Sequence, residues 1–102
     1  MADVQTRPVT LTEAVLLRPT MYTMNCTFGE VVCFLEGYYS GIAKTKCDAP
    51  PVIEWNDFED WLADRLCVDS NSSFKAIYLM HHEDCERLKT FADLYARFQA
   101  ER

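Results

Sequence analysis

Two Ser/Thr-x-x-Glu motifs, each followed by apolar residues at helical spacing, constrain the fold of this chain more than any other feature. They are Thr10-x-x-Glu13 and Thr27-x-x-Glu30. In such a capping box the hydroxyl accepts a hydrogen bond from the backbone N–H of the glutamate, whose carboxylate accepts one from the backbone N–H of the threonine. The motif therefore marks the start of a helix. We predict one short helix from Thr10 to about Leu17, where Pro19 stops it, and a longer helix after Thr27.

Apolar residues recur every three or four positions in three segments, which is the spacing of an amphipathic helix. The segments are Phe28–Ile42, Phe58–Leu66 and Leu88–Phe98. Residues 74–80 are rich in Phe, Ile and Tyr and fit either a strand or a buried helix. We favour a helix, because the rest of the chain offers no strand to pair with. The pattern predicts an all-α fold of four to five helices.

The length of 102 residues suffices for one compact domain, and 49% hydrophobic residues can fill its core. We expect the domain to span 1–102, with 1–9 as a flexible lead-in. Pro50-Pro51 lies in the segment 45–55, and a residue that precedes proline is disfavoured in the helical conformation. We therefore expect an extended Pro-Pro loop, followed by a helix that Asn56 caps.

Small residues and cysteines lead to further expectations about burial. Cys33, Gly37 and Gly41 recur every four positions, which predicts a strip where another backbone packs closely. We expect Met21 and Tyr22, after Pro19, to enter the core. The five cysteines are odd in number and include no Cys-x-x-Cys, so they fit neither a disulfide framework nor a zinc ribbon. Reduced and mostly buried thiols are expected.

The charge balance favours a basic partner. Sixteen acidic and ten basic residues give a net charge of −6, which repels nucleic acid and anionic lipid but speeds the capture of a basic protein. The N-terminus lacks the apolar region of a signal peptide, and no run of 18 apolar residues follows. We therefore expect a cytoplasmic protein that binds a basic protein, with no membrane or nucleic-acid partner.

Carboxylates and indoles around the second of these segments, Phe58–Leu66, form the candidate partner-binding site. Carboxylates beside an aromatic anchor are typical of the rim and core of an interface with a basic protein. The alternative is a solvated helix surface with both indoles buried. The candidate residues are Glu54, Trp55, Asp57, Asp60, Trp61 and Asp64.

One dense group of metal-ligating residue types is present, His81-His82-Glu83-Asp84-Cys85. On a helix, His81 and Cys85 would share a face, as would His82 and Glu86. A zinc site needs further ligands, and no paired motif supplies them. We predict no metal, no cofactor and no catalytic residues. A small metal- or thiol-dependent enzyme that uses His81, His82 and Cys85 is the alternative.

Three motifs, Arg18-Pro-x-Met-Tyr22, Phe34-Leu-x-Gly-Tyr38 and Phe58-x-x-Trp-Leu62, precede an aromatic-rich final helix. This pattern resembles a group of small, acidic, largely uncharacterised bacterial proteins, several of which look like toxin-immunity proteins. The resemblance implies a non-enzymatic inhibitor that occludes the basic active-site region of a cognate toxin. A phage-encoded inhibitor of a host defence nuclease would act through the same electrostatic mimicry and remains an alternative.

Overall fold

The computed structural model describes residues 10–101, which form a single all-α domain. None of the described residues lies in a strand, so the predicted fold class is confirmed. The predicted lead-in, 1–9, lies outside the described part of the chain. None of the described helices is both long enough and apolar enough to cross a membrane. The five helices are α1 (Leu11–Leu17), α2 (Phe28–Ala43), α3 (Pro50–Leu66), α4 (Ser73–Met80) and α5 (Asp84–Glu101).

Both capping boxes form as predicted. The hydroxyl of Thr10 accepts from the N–H of Glu13 at 3.1 Å, and the carboxylate of Glu13 accepts from the N–H of Thr10 at 3.1 Å. The equivalent distances for Thr27 and Glu30 are 3.1 and 3.3 Å. These bonds satisfy N–H groups that have no partner within the helix, which fixes the starts of α1 and α2. The prediction of helix over residues 74–80 is also confirmed by α4.

The predicted extended Pro-Pro loop is wrong, because Pro50 and Pro51 are the first two residues of α3. A proline is tolerated in the first helical turn, where its missing N–H would have no partner and its fixed φ already suits the helix. Only Ala49, which precedes the pair, is extended, with φ −61° and ψ 137°. The helix thus begins seven residues earlier than a cap at Asn56 would allow.

A cluster of aromatic rings centred on Phe58 forms the core. Phe58 lies on α3 and is fully buried. Its ring centroid is 5.1 to 6.4 Å from those of six other aromatic rings on α3, α4 and α5. Rings at such distances add to the free energy of burial through edge and stacking contacts. The six rings belong to Trp55, Trp61, Phe74, Phe91, Tyr95 and Phe98.

The prediction that Met21 and Tyr22 enter the core is wrong. Met21 is 68% exposed, and Tyr22 is at the surface with its ring 5.7 Å from that of Phe34. Residues Pro19–Met21 form a 3-10 turn in which the carbonyl of Pro19 accepts from the N–H of Tyr22 and of Thr23 at 3.0 and 2.9 Å. These bonds close the turn on itself at the surface and not against the core.

The predicted close packing along Cys33, Gly37 and Gly41 is also wrong. All three residues are exposed, and a Cβ added at either glycine would meet nothing within 4 Å. The reason is that α2 faces the core with the opposite stripe, which includes Val31 and Leu35. The expectation of mostly buried thiols fails too: Cys26 is half-buried, and the other four cysteines are exposed.

We expect Phe58→Ala to lower the free energy of unfolding by about 3 to 5 kcal/mol, because it removes a fully buried ring and leaves a cavity among its neighbours. Urea denaturation followed by far-ultraviolet circular dichroism measures the change. Ile53→Ala on the same helix is the control. Since Ile53 is 46% exposed, its truncation should lower the free energy by less than about 1 kcal/mol. Equal losses in the two variants would contradict a core centred on Phe58.

Candidate functional site

Three of the predicted site residues, Asp57, Asp60 and Asp64, are exposed on α3. Their spacing of three and four residues places them on one side of the helix, and we call them the acidic face. No salt bridge among the described residues includes any of the three. The acidic face is therefore a surface of like charges that the described part of the chain does not neutralise.

Glu54 and Trp55 do not belong to the acidic face. Trp55 is 4% exposed and lies in the core, and the carboxylate of Glu54 accepts a hydrogen bond from the Tyr95 hydroxyl at 3.0 Å. The reason is the early start of α3, which makes both residues helical. Trp55 then lies three residues before Phe58 on the buried side of the helix. The expectation that Trp55 borders an exposed carboxylate surface is wrong.

Trp61 lies half-buried beside the acidic face and is held by α5. Its indole N–H donates to the carboxylate of Glu101 at 2.9 Å. The other oxygen of Glu101 is 2.7 Å from Nη2 of Arg65, whose guanidinium lies 4.7 Å from the Trp61 ring centroid. Of the two tryptophans, only Trp61 reaches the surface beside the acidic face.

A pair of glutamates that the sequence analysis missed lies next to the acidic face. Glu59 on α3 lies near Glu36 on α2, close enough for the charge of Glu36 to act on the Glu59 carboxyl group. Burial, followed by the negative charges of Glu36 and Asp60, raises the pKa of Glu59 to about 7. Both glutamates line a cavity of about 330 Å³ between α2 and α3. The sequence analysis could not predict this pair, because the spacing of residues within one segment does not show which residues of two different helices meet.

The His81–Cys85 segment is a connection and the start of α5, not one helical face. Nε2 of His81 is 2.7 Å from the Thr90 hydroxyl, while His82 and Cys85 are exposed. Because His81 is extended and α5 begins at Asp84, His81 and Cys85 do not share a helical face. No group of three or more His, Cys, Asp or Glu among residues 10–101 is arranged to hold a metal ion.

Residues around this connection join helices to one another. The guanidinium of Arg87 donates to the carbonyl oxygens of Tyr78 and His81, at 3.0 and 2.8 Å, and its Nη1 is 3.2 Å from the Asp84 carboxylate. The same carboxylate accepts from the N–H of Phe28 at 3.1 Å, at the start of α2. These contacts assign Asp84 and Arg87 to the junction of α2, α4 and α5.

In comparisons with known proteins, no family model matches this chain, and no curated protein or solved structure shows significant similarity to it. The resemblance to small, acidic immunity proteins therefore stays a prediction. The functional interpretation depends on the acidic face and the adjoining glutamate pair.

We expect Glu59→Gln to stabilise the protein at pH 8 but not at pH 5. Folding raises the pKa of Glu59 from 4.5 to about 7. The folded protein therefore favours the neutral carboxyl group, and the contribution of that group to stability is fully present below pH 4.5 and is lost as the pH rises through 7. Glutamine stays neutral throughout. Allowing for partial exposure to solvent, we expect the free energy of unfolding of the variant to exceed that of the wild type by about 1 to 3 kcal/mol at pH 8.

Urea denaturation at pH 5, 6.5 and 8 measures this difference, with Asp93→Asn as the control. Asp93 is exposed on α5, away from the glutamate pair, so its variant should follow the wild type at each pH. A constant difference between wild type and Glu59→Gln from pH 5 to pH 8 would contradict the raised pKa.

Proposed function

We propose that this protein is a non-enzymatic inhibitor that binds a basic protein, a cognate bacterial toxin, and occludes its basic active-site region. One observation carries the proposal: the three carboxylates of the acidic face are exposed together without a cation from residues 10–101. The half-buried Trp61 beside them provides an aromatic contact of the kind that anchors interfaces.

The acidic face destabilises the free protein, which is a reason to assign it a partner. Like charges three or four residues apart on a helix destabilise it by about 0.2 to 0.5 kcal/mol per pair. Asp57, Asp60 and Asp64 form two such pairs. A basic partner would remove this repulsion, and its field would speed association with a chain of net charge −6.

The inhibitory mechanism is occlusion. The carboxylates of the acidic face take the positions that the anionic groups of the toxin's substrate would occupy, so substrate and inhibitor exclude each other. This mechanism requires a complementary shape, the negative charge of the acidic face and the aromatic contact of Trp61. It requires no catalytic group on the inhibitor. We place its action in the cytoplasm, where an immunity protein protects the cell.

We expect Asp57→Lys, Asp60→Lys and Asp64→Lys together to abolish protection when the chain is co-expressed with the toxin gene beside its own. The triple variant replaces attraction by repulsion at the proposed interface. Loss of a carboxylate that pairs with a buried cation of the partner should weaken binding by about 2 to 5 kcal/mol, whereas loss of a rim contact should mainly slow association. Growth of the co-expressing cells and binding kinetics of the purified pair measure the two effects.

The matched control is Asp48→Lys, Asp69→Lys and Asp93→Lys, which changes the net charge equally at exposed positions outside the acidic face. This control should protect cells, and salt should slow wild-type association. Circular dichroism checks that both triple variants are folded. Full protection by the folded acidic-face variant would refute the proposed binding surface.

A further inference from the structure

The cavity between α2 and α3 is lined by polar groups on both helices. Besides Glu36 and Glu59, the side chains of Ser40 and Asn56 line it. No hydrogen bond or salt bridge within the described chain engages the Ser40 hydroxyl or the Asn56 amide. A concave site with a few converging polar groups is the usual form of a ligand pocket, and 330 Å³ lies within the range of such pockets.

The indole N–H of Trp55 gives a second, independent indication of a ligand. Trp55 is 4% exposed and lines the cavity, yet its N–H has no acceptor among the described residues. Its ring is stacked on Tyr39, at 4.9 Å and 15°, and on Phe74, at 5.8 Å and 13°, which leaves an edge of the indole to line the cavity. A buried indole N–H usually has a partner, because an unmade hydrogen bond is unfavourable.

The glutamate pair defines the charge of the ligand. The Glu59 carboxyl group, which lies near that of Glu36, is partly protonated near neutral pH, because burial and then the negative charges of Glu36 and Asp60 raise its pKa to about 7. A cation placed between Glu36 and Glu59 would replace that proton, which would pass to the solvent. A guanidinium suits the position well, since its planar set of N–H donors can bond to two carboxylates at once.

We propose that this cavity binds one guanidinium or ammonium group between the carboxylates of Glu36 and Glu59, while the N–H of Trp55 donates to a carbonyl oxygen of the same ligand. An arginine or lysine residue within a polypeptide carries both groups. In that form the inference rests on the proposed function, because the residue belongs to the bound toxin. A free cationic amino acid has the same chemistry and is the other source.

Binding of the cation depends on pH. The acidic and phenolic groups around Glu59 are Glu36 and Tyr39 on α2 and Asp60 on α3. Because the pKa of Glu59 is raised to about 7, its carboxyl group is mostly protonated at pH 6 and mostly ionised at pH 8. A cation prefers the ionised form, so its affinity increases as the pH rises through 7.

The test is a ¹⁵N–¹H NMR titration of the isolated protein with N-acetyl-arginine amide. We expect a saturable shift of the Trp55 indole N–H signal, with a dissociation constant that decreases from pH 6 to pH 8. The signal of Trp61 is the internal reference, since its N–H already donates to Glu101 at 2.9 Å. N-acetyl-citrulline amide, which has nearly the same shape but no charge, should produce no saturable shift.

Two variants and two further probes complete the test. Glu59→Gln and Glu36→Gln should each weaken binding about tenfold or more, while Asp93→Asn should leave it unchanged. N-acetyl-lysine amide tests an ammonium group, and free arginine tests the second source. Tighter binding of the capped probes than of free arginine favours a polypeptide residue, and the reverse order favours the free amino acid.

A missing Trp55 shift, an equal response to citrulline, or unchanged binding in both glutamine variants would overturn the proposal. No toxin is present in this titration, so a negative result would not bear on the protection of cells that we attribute to the acidic face. Conversely, full protection by the acidic-face variant would refute the proposed function but would not change the result of the titration.

Discussion

The packing of Phe58 against aromatic rings of α3, α4 and α5 determines how the rest of this molecule is arranged. Phe58 can be buried only if α3 is rotated so that Trp55 and Leu62 also face inward. The same rotation turns the acidic face to solvent and leaves Glu59 at the boundary between core and surface. The acidic face and the position of Glu59 at the cavity are thus consequences of the orientation that the aromatic core imposes on α3.

The polar features of α3 reduce stability, and the aromatic core compensates for them. Adjacent carboxylates repel each other along the acidic face, and burial together with the charges of Glu36 and Asp60 raises the pKa of Glu59, so that its ionised form is unfavourable in the folded protein. A chain under selection for stability alone would replace such groups, because most proteins can gain stability by simple surface substitutions. Sites where local chemistry opposes stability are those at which function is expected.

Hydroxyl groups attach α1 to the rest of the domain. The hydroxyls of Thr12 and Tyr39 are 3.0 Å apart, and those of Thr10 and Tyr95 are 2.9 Å apart. Tyr95 also donates to Glu54, so this carboxylate belongs to an internal network. Thr10 therefore both starts α1 and helps to hold it, and Glu54 contributes to packing although it lies among acidic neighbours in the sequence.

Local interactions were predictable from the sequence, whereas contacts between helices were not. A capping box involves residues three positions apart, so Thr10 and Thr27 mark helix starts whatever the rest of the chain does. The three exposed aspartates were likewise predictable, because helical spacing places them on one side of α3. The sequence misled at Pro50, where a proline pair can end a loop or begin a helix, and tertiary packing decided between them. Two features depend on how α2 lies against α3, which only the packed aromatic core determines. They are the proximity of Glu36 to Glu59 and the N–H of Trp55, which has no acceptor among residues 10–101.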